Sequence, residues 1–222
     1  MQEKTIKKIR SSLREYDALH KDSGFGDERE AYEVVASFLK GNRALDIGCG
    51  SGFIEEIDHH IVGLDFSFEA LKIAKTKGSA RFVQSSAESL PFKDGAFDTS
   101  LSFGVLEHCV DQESCVKEMA RVSRMQILIV HASLPWGLEY LRPWGIRLFG
   151  LKDQPVEKPL SMRTLRTMLR SCGLKIVFEG FWNYVDLRWI WKRIPYGLLK
   201  MPSHHLLVTI KSENLDRKFF GD

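Results

Sequence analysis

The chain has 222 residues, of which 44% are hydrophobic and 27% charged, a composition typical of a folded globular protein rather than a disordered one. The length suits one domain, and the net charge of +3 is too small to select a class of partner. No apolar stretch approaches the roughly 18 residues that span a bilayer, and the charged N-terminus lacks the apolar region of a secretory signal.

Two helices are predicted before the first strand. Apolar residues recur at spacings of three and four from Ile6 to Tyr16, which indicates an amphipathic helix. A polar loop follows, and residues 31–40 form the second predicted helix, with Gly41 as its C-cap.

Strands and helices then alternate along the chain. The strands are predicted at 44–47, 61–65, 81–84, 99–103 and 126–131. Ser67 and Asp111 are predicted to cap the helices 68–77 and 112–122. The helix after Gly52 must be short, because the second strand follows it closely. This order predicts a parallel sheet with helices on both faces.

The pattern changes after residue 132. Residues 133–159 are interrupted by prolines and indicate an irregular insertion. Ser161 is predicted to cap a helix that ends at Cys172, and two closing strands are predicted at 175–179 and 205–211. Between these strands, residues 181–202 alternate aromatic and basic side chains. That segment suits a connection over the sheet, a substrate lid, a membrane-surface patch or an RNA contact.

The clearest chemical signal is a strand that ends in a glycine turn, Ala44-Leu45-Asp46-Ile47-Gly48-Cys49-Gly50-Ser51-Gly52. Glycine allows a sharp turn and close approach of a ligand, and such turns lie at the ligand-binding edge of doubly wound sheets. The dinucleotide fingerprint needs a further glycine where the chain has Phe53. Asp46 would repel a pyrophosphate but can accept a hydrogen bond from an ammonium group. These features favour S-adenosylmethionine (SAM) over NAD.

A second acidic residue indicates a nucleoside. Asp65 ends the second predicted strand, where a carboxylate can accept hydrogen bonds from both hydroxyls of a ribose. Asp65 alone does not distinguish one nucleoside cofactor from another.

Four motifs in this order resemble those of class I SAM-dependent methyltransferases, and most closely the subgroup that methylates small molecules, lipids and quinone precursors. The glycine turn is similar to the family's first motif, 62–67 to its acidic motif, 84–92 to its adenine-side motif and 102–108 to the motif after strand four. The resemblance implies a doubly wound, Rossmann-like α/β fold with a seven-stranded sheet whose last strand is antiparallel.

The resemblance also divides the chain and assigns cofactor contacts. It implies an N-terminal helical lid (1–30), a SAM-binding core (31–132) and a C-terminal part of the same domain (133–222) with substrate-side insertions at 133–160 and 181–203. The predicted cofactor-binding residues are Tyr16 in the lid; Asp46, Gly48, Cys49, Gly50 and Gly52 around the methionine part; Asp65, Phe66 and Ser67 at the ribose and adenine; Ser86, Ala87 and Glu88 at the adenine; and Phe103 and Gly104 beneath the sulfonium.

One position departs from the family pattern. Ser86 stands where the family usually has an acidic residue that accepts a hydrogen bond from the adenine amino group. A serine hydroxyl can accept that bond, but more weakly than a carboxylate.

A general base is the least defined part of the predicted site. His108 follows the motif after strand four and could deprotonate a hydroxyl or phenol acceptor, with Glu107 and His131 as weaker candidates. Methyl transfer from a sulfonium depends largely on alignment, so the reaction does not require such a base.

The predicted activity is transfer of the SAM methyl group to a small-molecule or lipid acceptor, with S-adenosylhomocysteine as the product. A non-catalytic SAM-binding partner subunit, an RNA methyltransferase and, least favoured, an NAD-dependent oxidoreductase remain as alternatives. Nucleic acid is disfavoured as acceptor because no Asn-Pro-Pro-Tyr-type tetrapeptide follows strand four. A contact with a membrane surface through 181–202 is retained as a possibility.

The cysteines indicate neither a metal site nor a disulfide framework. Cys49, Cys109, Cys115 and Cys172 show no CxxC pairing and no histidine spacing typical of zinc. We expect mostly buried, reduced thiols in a cytoplasmic protein.

Overall fold

The computed structural model describes residues 29–39, 42–78, 80–131, 158, 160–186 and 200–212. These residues form helices and strands that alternate as predicted over most of their length. In chain order the elements are α1 (Arg29–Leu39), β1 (Ala44–Ile47), α2 (Phe53–Ile57), β2 (Val62–Asp65), α3 (Phe68–Thr76), β3 (Arg81–Gln84), β4 (Phe97–Phe103), a 3-10 turn (Leu106–His108), α4 (Gln112–Val122), β5 (Ser123–His131), α5 (Met162–Ser171), β6 (Leu174–Asp186) and β7 (Lys200–Lys211).

The strands of the described residues form one sheet in the order β3-β2-β1-β4-β5-β7-β6. Strands β1 to β5 are parallel, and β7 lies antiparallel between β5 and β6. The predicted seven-stranded α/β sheet with an antiparallel last strand is therefore confirmed. Asp46 pairs with Gly63 on one side and Leu101 on the other, so β1, β2 and β4 reach the same carboxyl edge.

The sheet separates two hydrophobic clusters. Along β5, Leu128 and Val130 belong to the cluster that includes α4 and α5, whereas Ile127 and Ile129 belong to the cluster under α1. Successive side chains of a strand point to opposite faces, so this apolar run is buried on both sides. The central strands are consequently held rigidly at the carboxyl edge.

Capping residues define where the helices start, as predicted. The Ser67 hydroxyl accepts a hydrogen bond from the backbone N–H of Ala70 at 3.2 Å, and the Asp111 carboxylate accepts one from Ser114 at 3.1 Å. Ser161 caps α5 through the N–H of Thr164 at 3.1 Å. Helix α2 has only 5 residues, which confirms the short helix after Gly52.

The closing strands are longer than predicted. Pairing continues from Phe181 opposite His205 to Asp186 opposite Lys200, so both ends of the segment predicted as a connection at 181–202 belong to the sheet. The prediction was wrong there because the aromatic and basic pattern concealed residues that suit an antiparallel strand. Residues 187–199 lie outside the described residues, as do 1–28 with Tyr16 and most of the predicted insertion at 133–160.

Two other expectations concern the surface and the thiols. Across the residues that the structure describes, no helix is long and apolar enough to cross a membrane. All four cysteines are free thiols; Cys49, Cys109 and Cys115 are buried and Cys172 is half-buried, as expected.

Candidate active site

The glycine turn follows β1 at the carboxyl edge of the sheet. Gly48, Gly50 and Gly52 have φ angles of +77°, +52° and +73°, a region that other residues enter only with strain. A Cβ on Gly48 would lie 2.2 Å from a methyl of Val105, and one on Gly52 would lie 2.8 Å from the Cβ of Ala74. The turn therefore fits closely between the loop after β4 and helix α3 only because Gly48 and Gly52 lack side chains.

Asp65 connects this turn to the end of β2. One carboxylate oxygen accepts a hydrogen bond from the N–H of Gly50 at 2.9 Å, and the other accepts one from the N–H of Ser67 at 2.8 Å. Asp65 is buried, yet its charge is stabilised by backbone N–H groups from both sides.

Two further acids are buried behind the turn. Asp46 on β1 is 3% exposed and Glu55 on α2 is 1% exposed. Burial and the charge of Asp65 raise the pKa of Asp46 to about 7. Burial and the charge of Asp46 raise the pKa of Glu55 well above its usual value, and the two carboxyls contact each other. Near neutral pH, Asp46 and Glu55 therefore retain at least one proton between them.

The loop after β3 carries the predicted adenine-side residues. The hydroxyl of Ser86 donates a hydrogen bond to Glu88, whose other oxygen accepts the N–H of Val110 at 2.9 Å. Glu88 thus places a carboxylate beside Ser86. Because Val110 follows the 3-10 turn, Glu88 also connects the loop after β3 with the loop after β4.

Arg121 of α4 holds the second half of the same loop. Its guanidinium donates to the carbonyls of Leu90 and Phe92 at 3.0 and 2.7 Å and to the carboxylates of Glu118 and Asp94 at 2.7 to 2.8 Å. Glu118 in turn accepts the N–H of Leu90 at 2.7 Å. One planar side chain therefore satisfies several loop groups that have no strand partner.

We expect Arg121→Ala to lower the free energy of unfolding by about 2–3 kcal/mol, because it removes several charge-assisted hydrogen bonds from a half-buried loop. Arg43 is the matched control, since it forms a bidentate pair with Asp98 but its side chain is 61% exposed. Arg43→Ala should cost only about 0–1 kcal/mol. Urea denaturation of both variants measures the difference, and equal losses would contradict the assigned role of Arg121.

The carboxyl end of β4 forms the opposite wall of the site. Phe103 ends the strand, and Gly104 follows with a φ angle of +63° and donates its N–H to the carbonyl of Ile129 at 2.7 Å. A Cβ on Gly104 would lie 3.3 Å from Cε1 of His131, the last residue of β5. The ring of His204 on β7 packs at a tilt against the His131 ring, with centroids 4.6 Å apart, and against the Phe103 ring, with centroids 5.6 Å apart.

Glu107 and His131, the weaker base candidates in the sequence, are brought together. The same oxygen of Glu107 accepts hydrogen bonds from the backbone N–H of His131 and from its ring Nδ1, the latter at 3.3 Å. Burial acts to raise the pKa of Glu107, but the contacts with His131 outweigh it and hold that pKa below its usual value. His108 lies in the same 3-10 turn and is half-buried. The sequence signal that indicates this contact is the prediction of β4 and β5 as parallel strands of one sheet.

Hydrogen bonds from Lys158 and Gln112 hold the loop that carries Glu107. The backbone N–H of Lys158 donates to the carbonyl of Glu107 at 2.8 Å, and its ammonium group donates to the carbonyl of Val110. The amide of Gln112 donates to the carbonyls of Leu106 and Lys158 at 3.0 and 3.3 Å. These bonds fix the loop after β4 in one position.

A separate cleft of about 1190 Å³ opens at the opposite edge of the sheet. Its walls include the first residues of β1 to β4, among them Ala44, Val62, Arg81 and Phe97. Ligands of open parallel sheets bind outside the carboxyl ends of the strands. The carboxyl edge, with its glycine turn and buried carboxyls, is therefore the candidate active site.

Similarity to known proteins identifies the family of this chain. Residues 45–128 match the model of a methyltransferase domain. The O-methyltransferase rstn1 of Aspergillus nomiae is 32% identical over 172 residues, which cover 72% of this chain and 73% of that protein. The chain belongs to the class I SAM-dependent methyltransferases.

Other relatives of this methyltransferase share less of its length. A protein of Methanocaldococcus jannaschii, MJ1252, is 44% identical over 92 residues, and the match spans 40% of this chain and 36% of that protein.

The magnesium protoporphyrin IX methyltransferase of Synechocystis, solved with bound S-adenosylhomocysteine, has the same fold. It superposes with a TM-score of 0.62 at 18% identity, over 95% of this chain and 100% of that one.

The site of the methyltransferase fits SAM, the cofactor of this family. Gly48 and Gly52 have no Cβ that would collide with Val105 and Ala74, so the turn stays closely packed at the carboxyl edge, where ligands of such sheets bind. The buried carboxyl of Asp46 suits an ammonium donor and would repel a pyrophosphate, and that of Asp65 suits hydroxyl donors. The setting of Asp46, rather than the glycine turn or Asp65, therefore favours SAM over a dinucleotide.

Proposed function

We propose that this chain transfers the methyl group of SAM to a small-molecule or lipid acceptor at the carboxyl edge of β4 and β5. The observation that carries the proposal is the convergence of two walls at that edge. One is the glycine turn bonded to Asp65, and the other is Gly104 facing His131. Class membership supports the cofactor half of the reaction, and the relative named as an O-methyltransferase supports a small acceptor.

Each wall takes one part of SAM in this proposal. The turn at 48–52, with Cys49 in its middle, holds the methionine part, and Asp46 accepts a bond from its ammonium group. Asp65 binds the ribose hydroxyls, and Phe103 and Gly104 lie beneath the sulfonium. The adenine is held by Phe66, Ser67, Ser86, Ala87 and Glu88.

Glu88 compensates for the unusual Ser86 in this assignment. The Ser86 hydroxyl is polarised by its bond to the Glu88 carboxylate, which strengthens its oxygen as an acceptor. The pair can therefore take the adenine amino group where other members use one acidic side chain.

The chemistry needs alignment more than protein-derived charge. When bound, SAM supplies an electrophilic methyl group on a sulfonium. The residues of this chain hold the acceptor in line with that methyl, and a well-aligned pair can gain several orders of magnitude in rate. Gly104, which has no side chain, keeps the approach to the methyl open.

The surrounding parts complete the proposal. The core at 31–132 binds SAM, residues 1–30 form the lid, and the C-terminal part at 133–222 determines acceptor choice. A membrane contact through 181–202 and a cytoplasmic location stay predictions, because they depend on residues largely outside those described.

Calorimetric titration with SAM and S-adenosylhomocysteine tests the cofactor assignment. We expect Asp65→Ala to weaken SAM binding about a hundredfold, because two charge-assisted hydrogen bonds of about 1.5 kcal/mol each are lost. Asp98→Ala serves as the matched control, since it removes an acid paired with Arg43 at the opposite edge. NADH should not bind to the wild-type protein.

Folding must be separated from binding in this comparison, because Asp65 also accepts backbone hydrogen bonds. Asp65→Asn retains one acceptor oxygen and should fold more readily than the alanine variant while still losing SAM affinity. Unchanged SAM affinity in both Asp65 variants, or binding of NADH instead of SAM, would overturn the assignment.

A further inference from the structure

We infer that Glu107 and His131 form a dyad in which His131 is the general base that deprotonates an acceptor hydroxyl. The inference rests on the proposed function and narrows its substrate class. The acceptor is an alcohol or phenol, rather than a carboxylate or a tertiary amine that can attack without losing a proton.

The position of His131 is the first support. It ends β5 at the carboxyl edge, and its ring lies against Gly104, the residue assigned to the floor beneath the sulfonium. The side chain is 54% exposed, so the ring edge turned away from Glu107 is accessible to a second substrate. Because Gly104 has no side chain, the His131 ring can face the cofactor position of the proposed function directly.

The contact with Glu107 determines which ring nitrogen can act. Glu107 is ionised, because its pKa lies below the usual value, and it can only accept a hydrogen bond. Nδ1 of His131 must therefore carry the proton, and Nε2 carries the lone pair that a base needs. Glu107 also stabilises the imidazolium that forms when Nε2 takes a proton.

The burial of Glu107 argues against a purely structural pair. Its side chain is 5% exposed, and one of its oxygens has no hydrogen-bond partner in the part of the chain that the structure describes. A buried carboxylate left partly unsatisfied costs stability, which a pair serving only the fold would not require. Among the described side chains, that of His131 donates a hydrogen bond to Glu107. The negative charge of Glu107 therefore acts on His131.

His204 restrains the ring from the other side. Its ring packs at a tilt against that of His131, with centroids 4.6 Å apart, and is buried. Burial, followed by the proximity of His131, lowers the pKa of His204 to about 4. His204 is therefore neutral near pH 7 and does not repel the charge that His131 gains. Among the described residues, the titratable groups that contact the ring are Glu107 and His204.

In the proposed step, the acceptor O–H proton moves to Nε2 of His131 while the acceptor oxygen forms a bond to the methyl carbon. The bond between that carbon and sulfur breaks, and its electron pair stays on sulfur to give neutral S-adenosylhomocysteine. The imidazolium then releases its proton to water. General bases of this kind contribute about 10²–10⁴-fold in rate.

The first test reads the tautomer directly and needs no acceptor. Nitrogen NMR of histidine-labelled protein, with and without S-adenosylhomocysteine, should show His131 protonated at Nδ1 and unprotonated at Nε2 at mildly alkaline pH. His131→Asn assigns the resonances, and Glu107→Leu should populate the other tautomer. A proton on Nε2 in the wild-type protein would overturn the inference.

The second test uses catechol and benzenethiol as probe acceptors, since the thiol is largely ionised without a base. His131→Ala should lower kcat for catechol about 10²–10⁴-fold, with little change for benzenethiol, and added imidazole should restore part of the loss. His60→Ala, an exposed histidine paired with Asp58, is the control. Equal losses on both probes would overturn the base role.

The two proposals fail separately. Absence of S-adenosylhomocysteine binding would remove the proposed function, while the tautomer of His131 would still report on the dyad. Normal SAM binding with full catechol turnover in His131→Ala would remove the dyad and leave the methyltransferase.

Discussion

Replacement of Gly52 by alanine is expected to lower the free energy of unfolding by about 2–5 kcal/mol. Two costs add. At a φ angle of +73°, an alanine has about 1–2 kcal/mol of backbone strain. Its Cβ would also lie 2.8 Å from Cβ and 3.2 Å from Cα of Ala74 and 3.1 Å from the ring of Phe82, and overpacking of this kind costs about 1–3 kcal/mol. Urea denaturation measures the sum.

Gly173→Ala separates the two costs. Gly173 has nearly the same φ angle, +71°, but no atom lies within 4 Å of the position its Cβ would occupy. That variant should lose only the strain term, about 1–2 kcal/mol. If both variants lost the same free energy, helix α3 would have room to move and the closeness of the turn would be no constraint.

The same comparison links packing to the cofactor. A shift of α3 away from an alanine at position 52 would move Ser67, whose backbone N–H donates a hydrogen bond to Asp65. SAM affinity should therefore fall in Gly52→Ala, while Gly173→Ala, which lies beyond α5, should retain it. The glycine turn thus affects binding through the fit of the backbone as well as through contact.

Local patterns were sufficient to predict most of the fold. Ser67, Asp111 and Ser161 each cap a helix with their own side chain, so the start of each helix is written within four residues. Positive φ angles at Gly48 and Gly52 likewise follow from residue type and the adjoining strand. Such features need no knowledge of what lies across the sheet.

Features that depend on strand register were not predictable in the same way. The pairing of Glu107 with His131 spans 24 residues and requires β4 and β5 to end at matching heights. The bond from Glu88 to Val110 spans 22 residues, and Arg121 reaches back 31 residues to Leu90. The closing strands β6 and β7 were predicted, but their additional length was missed because pairing, rather than composition, sets it.

Glu55 is the residue whose setting contradicts its type most clearly. A glutamate in a short helix suggests a solvated side chain, since ionised carboxyls are rarely buried without a partner. Here α2 turns Glu55 towards β1 and β2, and a Cβ on Gly63 would lie 2.8 Å from its carboxyl oxygen. The neighbouring Glu56 takes the exposed side and pairs with Lys77 at 3.7 Å.

The contribution of Asp46 and Glu55 to the stability of the protein is therefore expected to fall as pH rises above about 4, whereas the lowered pKa of His204 acts in the opposite sense between about pH 4 and about 6.5. Asp46 and Glu55 both have folded-state pKa values above the unfolded ones. Above about pH 4, the unfolded chain loses their protons while the folded chain retains them. Fewer protons bound in the unfolded state mean that stability decreases with pH, by up to about 1.4 kcal/mol per unit for each proton. For Asp46 the loss extends to about pH 7.

Glu55→Gln should remove the part of this pH dependence that comes from Glu55. The amide stays neutral at every pH and can donate a hydrogen bond to the Asp46 carboxylate, while burial and the charge of Asp65 still raise the pKa of Asp46. The variant should match the wild-type protein near pH 4 and be more stable by about 1–3 kcal/mol at mildly alkaline pH, because an unsatisfied buried carboxyl costs about that much. Urea denaturation across this range measures both curves.

Glu56→Gln is the matched control, since it changes the same atoms one residue along the chain on the exposed side. Its profile should parallel that of the wild-type protein. If Glu55→Gln also ran parallel, the titration would arise elsewhere, and Asp46 would be ionised at neutral pH before any ammonium group arrives. If only Glu55→Gln departs from the wild-type profile, the buried pair itself stores the proton, and an ammonium ligand at Asp46 must displace it.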